Sequence, residues 1–174
     1  NIISQFNWLF DLNDYQVEIS KEELQGSIPE DKDILTLPFQ CPLPMGTPKV
    51  DLEIGNAFQK EISFDTGCRT NGDFEGFEIF PFWMFHLPDF DTTGLENKAS
   101  IKMYKDGELR QIVLCDSIYV NQFPFYNVSF MMEDMFKKGS YITANFVFRF
   151  EKMYYNSQKK EIQLINYKKD AMSG

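Results

Sequence analysis

An all-β fold with one or two short helices is what this 174-residue sequence predicts, and three observations carry that reading. Apolar and polar residues alternate through short runs, the period of a half-buried strand. Gly-Asn and Asp-Gly pairs fall between such runs, where two-residue hairpin turns need left-handed backbone. A sustained helical period is absent over any long window.

The elements follow in order. Residues 33–40 (DILTLPFQ) alternate, as do residues 49–54 (KVDLEI). Gly55 and Asn56 then turn the chain into residues 58–64 (FQKEISF), giving a hairpin whose second arm ends at Asp65. Residues 100–104 (SIKMY) and 109–114 (LRQIVL) flank a KDGE turn, and its Asp-Gly pair predicts a second hairpin with Gly107 at its tip. Residues 117–120 (SIYV) and 125–131 (FYNVSFM) read as further strands. One or two helical turns are predicted near residues 80–86 and 133–138. The Phe-heavy segment 72–88 suits a strand, loop and helix covering the core.

Composition bounds the function. At 43% hydrophobic the chain suits one ordinary domain with a real core, and its 18 Phe and 8 Tyr predict an aromatic interior. A net charge of −9 lacks the basic footprint of a nucleic-acid binder. Cys41, Cys68 and Cys115 are too scattered for a zinc site and read as small buried hydrophobes. His86, the sole histidine, reads as a core or rim imidazole, so any Ser-His or Cys-His pair would have to pass through it. No apolar run approaches membrane-spanning length. The chain opens on Asn, which implies numbering that starts after a processed or trimmed segment.

Two ends of the chain look alike. Residues 1–6 (NIISQF), 8–12 (WLFDL) and 16–20 (QVEIS) match residues 145–150 (NFVFRF), 152–155 (KMYY) and 160–164 (KEIQL) at an offset of 144 residues, with a one-residue gap. Each copy reads as an Asn-capped helical turn, a strand, a polar turn and a second strand. The offset falls within the usual domain size of about 100–150 residues. On this reading residues 1–20 are the C-terminal segment of a preceding lobe, or a strand pairing with a partner lobe. Residues 21–33 then form a linker, 34–167 a lobe, and 168–174 a disordered tail.

The segment most suggestive of chemistry is residues 61–71 (EISFDTGCRTN), where a strand runs into Asp65-Thr66-Gly67. Asp65 has two readings: an Asx-turn residue ending a hairpin, or a catalytic carboxylate. Around it stand, in order, residues 37–39 (LPF), 50–56 (VDLEIGN), 64–67 (FDTG), the hairpin at Gly107, 112–120 (IVLCDSIYV), 125–128 (FYNV), 141–146 (YITANF), 153–155 (MYY) and 162–164 (IQL). This ordered set resembles the retropepsin-like and pepsin-like aspartic proteases, in particular the Bacteroidetes-type aspartyl proteases, through most of residues 34–167.

The resemblance implies a closed or partly open β-barrel lobe and an aspartic endopeptidase that needs no cofactor or metal. In such enzymes a water held between two carboxylates attacks the peptide carbonyl. Two carboxyls about 3 Å apart cannot both ionise, so the pair splits into acid and base. Asp65 would supply one of them. Thr66 would bond across the matching turn of the partner, and Gly67 would let the backbone approach where a Cβ would crowd. Phe64, Gly107 and Ile142 fall on the substrate side, with the Gly107 hairpin as a flap. Asp116 reads as a surface group at a strand end.

Two positions depart from the family pattern. Arg69 stands where a small polar residue is usual, and a guanidinium there would favour the charged carboxylate. Thr143 replaces a glycine and implies an altered chain crossing. One Asp-Thr-Gly supplies half a dyad, so the implied partner is a second copy in a homodimer or a second lobe of a longer chain. The competing function is a degenerate peptide- or protein-binding module on the same fold, offering strand edges to extended peptides. A surface-associated structural domain, with the Phe-rich 74–90 stretch as its patch, is a third and weaker reading.

Overall fold

The computed structural model describes residues 5–24, 33–41, 47–65, 84–88, 90–95, 98–105, 108–132 and 139–168; the side chains of 101–111 are outside that description. Within it the protein is all-β apart from one four-residue α-helix and a short 3-10 turn at Gln5. The chain divides into two compact units, residues 1–51 with 147–174, and residues 52–146.

The second unit is built around a hairpin. β4 (Lys49–Ile54) alternates strictly between buried and outward residues, with Val50, Leu52 and Ile54 inward. Gly55 then adopts φ 59°, a conformation glycine takes without a Cβ penalty, and β5 (Ala57–Phe64) returns. Within β5, Glu61 also has a left-handed φ of 54°. Lys60 and Glu61 are both exposed, so the alternation shifts by one, as at a β-bulge. Phe58 therefore faces solvent while Ile62 and Phe64 are buried, although simple alternation would put all three on one face.

Two very short strands complete the centre. β6 (Phe85–His86) pairs antiparallel with β10 (Tyr141–Ile142) and parallel with β9 (Phe123–Met131). β10 in turn runs parallel to β5, with Ile142 opposite Phe64. β8 (Glu108–Val120) pairs antiparallel with β9 on one side and β7 (Lys98–Lys105) on the other. It meets β4 again where Ile54 faces Val120. The junction is tied by Gly55 N–H to Tyr119 O at 2.8 Å and Asn121 N–H to Glu53 O at 2.8 Å. The order β4-β5-β10-β6-β9-β8 thus returns to β4, a closed ring of strands.

The ring is filled by aromatics. Phe85, Phe125, Phe130 and Phe146 are fully buried, with Phe85 and Phe130 stacked at 5.4 Å and Phe125 and Phe146 at 4.8 Å. His86 is buried as expected, stacked on Tyr141, with Nδ1 3.0 Å from Gly139 O.

The first unit is a sheet in the order β2-β1-β11-β12-β3. Its strands are β1 (Asn7–Asp11), β2 (Gln16–Ser20), β3 (Ile34–Gln40), β11 (Phe150–Asn156) and β12 (Glu161–Tyr167). The first residues of β4 pair with the end of β3. Leu9, Tyr154 and Ile165 form a buried cluster on one face.

Several details differ from the expectations. Residues 85–86 are a strand rather than a helical turn, because Phe85 and His86 fill the gap between β9 and β10. The expected strands 109–114 and 117–120 are parts of one continuous strand, and Asp116 is exposed in its interior. Cys115 is buried but Cys41 is exposed, since it lies just beyond the last paired residue of β3. The expected helical turn at 133–138, most of the 72–88 segment, Cys68 and the 169–174 tail lie outside the described residues.

Candidate functional site

Asp65 stands where β5 leaves the ring. Its N–H donates to Ile142 O at 3.1 Å, and two residues earlier Ser63 N–H donates to Ser140 O at 3.0 Å. The parallel ladder to β10 therefore extends one residue beyond the strand and holds the Asp65 backbone. The carboxylate-bearing residue itself is half-buried.

Beneath it the support is apolar. Phe64 and Ile142, expected on the substrate side, are both buried in the ring and face each other in the ladder that leads to Asp65. A turn rooted in packed strands holds its geometry better than one rooted in a loop. Thr66, Gly67, Gly107 and Arg69 lie outside the described residues.

Thr143 directly follows β10. It is fully buried, and its N–H donates to Met84 O at 3.0 Å. Its carbonyl accepts from Phe146 N–H at 3.2 Å and its Oγ1 from Asn145 N–H at 3.3 Å. Thr143 thus caps α1 (Ala144–Val147), satisfying donors at the helix start. A hydroxyl does here what a glycine could not. The sequence placed Asn145 at the cap; the cap is two residues earlier.

The left-handed backbone of Glu61 and the helix cap at Thr143 are the features around this site that sequence reading missed. Only the Thr143-Ala-Asn pattern, a good N-cap residue before a short helix, carried a signal.

A separate cavity of about 480 Å³ lies beside Gly55, lined among others by Ile54, Phe90, Leu95, Ile118 and Tyr119. It sits at the start of β5, whereas Asp65 follows its end. The cavity is distinct from the Asp65 site. Among the described residues no group of three or more His, Cys, Asp or Glu is arranged to hold a metal ion. No helix among them is long and apolar enough to cross a membrane.

What fold and site define together is an all-β ring that presents one half-buried aspartate at the exit of a central strand. No protein-family model matches the chain, and no curated protein matches it. Among solved structures it is similar to the crystal structure of a retropepsin-like aspartic protease from Rickettsia conorii. That match has 14% identity and a TM-score of 0.44, covering 78% of this chain and 92% of the other.

Proposed function

We propose that the protein is a lobe of an aspartic endopeptidase, with Asp65 as one carboxylate of its dyad and the other supplied by a second lobe or subunit. The observation that supports this is the Asp65 N–H bond to Ile142 O, which fastens the first residue of the Asp-Thr-Gly sequence to a strand buried in the ring. Peptide or protein would be the substrate.

In the proposed reaction one carboxylate takes a proton from water as its oxygen bonds to the peptide carbonyl carbon. The other, protonated, gives its proton to the carbonyl oxygen. The tetrahedral diol then breaks its C–N bond as a proton passes to nitrogen, leaving a carboxylic acid and an amine. Phe64 and Ile142 hold the turn during these steps. Kinship with the Bacteroidetes-type proteases rests on the sequence resemblance.

The test is cleavage of denatured protein at acidic pH by the assembled protein. Wild type is expected to cleave and Asp65→Asn to lose activity by several orders of magnitude. Retained cleavage in Asp65→Asn rejects the assignment.

A second reading is a binding module without catalysis. Thr143 favours it, because a buried cap stands where the family pattern has glycine. Equal binding of a statin-type inhibitor by wild type and Asp65→Asn would support that alternative.

A further inference from the structure

The cavity beside Gly55 plays no part in the reading of Asp65, and its walls lie within the second unit. Three pieces of chain make it. One is the turn from β4 into β5. Another is the end of β8, fastened to that turn by Gly55 N–H to Tyr119 O at 2.8 Å. The third is residues 90–95, where Phe90 N–H donates to Leu87 O at 3.2 Å and Leu95 N–H to Thr92 O at 3.1 Å.

The floor is apolar and packed. Ile54, Phe90 and Ile118 are 0%, 4% and 7% exposed, and the Phe90 ring stacks on Phe130 at 5.3 Å. Gly55 brings no side chain into the space. A Cβ there would stand 3.5 Å from Ile118 Cδ1 and 3.8 Å from Leu95 Cδ2. The volume of about 480 Å³ falls in the usual range of small-molecule pockets, about 300–1,000 Å³.

The mouth is polar and carries charge of one sign. Of the described residues that line the cavity, Asp91 alone bears a formal charge. Its Oδ1 accepts from the Thr93 hydroxyl and from the Thr93 N–H, the latter at 2.9 Å, and these bonds hold the carboxyl below its ordinary value of 3.8. A carboxylate has about four lone-pair sites, so two donors leave acceptor capacity over. Lys98, the nearby cation, donates to Thr92 O at 2.5 Å and is not part of the lining. Tyr119, 61% exposed at the same mouth, offers an aromatic face to a cation.

We propose that this cavity binds a small organic ammonium ion, its hydrocarbon body over Ile54, Phe90 and Ile118 and its N–H groups on Asp91. The apolar floor favours burial of hydrocarbon. The single anionic group favours a cation, as does the net charge of −9. An anion would meet Asp91 with no cation in the lining to offset it. A lysine of another protein carries the same charge, but its thin four-carbon stem leaves much of the volume unfilled. The proposal stands whether or not Asp65 is catalytic.

The test is an amide NMR titration of the 174-residue chain with phenethylammonium at neutral pH. A probe of about nine non-hydrogen atoms should bind with a Kd on the order of 1 mM. Saturable shifts are expected at Gly55, Leu95, Ile118 and Tyr119. Phenethyl alcohol, the neutral counterpart, should bind about three-fold to five-fold more weakly, the scale of an exposed ion pair. Asp91→Asn keeps an oxygen for Thr93 and should remove that difference while leaving the alcohol unchanged. Ala57→Phe, which fills the cavity from its wall, should abolish binding of both. The proposal is overturned by no saturable shift up to about 20 mM, or by shifts centred away from the cavity. Equal affinity for amine and alcohol, a charge preference that survives Asp91→Asn, or binding that survives Ala57→Phe also overturns it. Tighter binding of a blocked Ala-Lys-Ala peptide does the same, since the occupant is then a protein side chain. No readout depends on cleavage, so failure here is distinct from failure of the protease reading.

Discussion

Ile142 O and Asp65 N–H are joined at 3.1 Å, so the strand that carries the candidate carboxylate is fastened to the strand that closes the ring. The bond links the backbone of Asp65 to a strand whose Ile142 side chain is fully buried.

Ile142→Ala should test how much the fold owes to that packing. The side chain is fully buried, and truncation of such a residue costs about 2–5 kcal/mol. Urea denaturation should show the loss in midpoint with little change in slope. A cost below about 0.5 kcal/mol would mean that the site collapses without penalty.

Asp11 and Asn156 hold equivalent turns with different chemistry, and pH separates them. Asp11 is held below its ordinary value of 3.8, chiefly by the Asp14 N–H, aided by Lys152 at 3.2 Å and opposed by partial burial. A lowered folded-state pKa means that the stabilisation is complete above 3.8 and is lost as pH falls through the folded value. Asp11→Asn should keep the turn but lessen the fall in stability below about pH 4. Asn156→Ala, which removes two acceptor contacts and the Nδ2–H bond to Glu23 at 3.2 Å, should cost about 1–3 kcal/mol at neutral pH. Denaturation curves for the three proteins at acidic and neutral pH check both statements.

Tyr155 gives the opposite sign at the alkaline end. Burial first, and then the neighbouring Cys41 thiol, push its phenol up from 10.0 to about 12. The unfolded chain therefore ionises first, and stability is lost as pH rises from 10.0 through the folded value. Tyr155→Phe should flatten that decline, measured by thermal unfolding between about pH 9 and about pH 11.

The thiols should separate by accessibility. Cys41 is exposed, while Cys115 is buried in β8 with its thiol pushed up by burial. Alkylation followed by mass spectrometry should modify Cys41 promptly and Cys115 only on the timescale of opening of the ring. Comparable rates at the two positions would show that β8 is not closed into the core.

How much of this was legible in the sequence depends on what each element leaves in composition. β3, β4, β7 and β9 showed themselves because alternation over several residues is a strong signal, and the Gly55-Asn56 turn because few residues adopt its backbone. β6 and β10 left no trace, since two residues have no period; only the ring around them makes them strands. The left-handed Glu61 was equally silent, because nothing about a glutamate announces a positive φ. The repeat was visible but misaligned by one residue. Apolar side chains suggested 144, whereas the Asp11 and Asn156 turns set 145. For the site, the sequence marked Asp65, Ile142 and Thr143, but the helix cap was read at Asn145 rather than at the Thr143 hydroxyl that accepts from it.

The most direct measurement is the distance from the Asp65 carboxylate to the nearest other carboxylate, in a crystal structure of the complete assembled protein. The protease reading predicts a second aspartate about 3 Å away, sharing a proton with Asp65. An Asp65 with no carboxylate within hydrogen-bonding reach would contradict it.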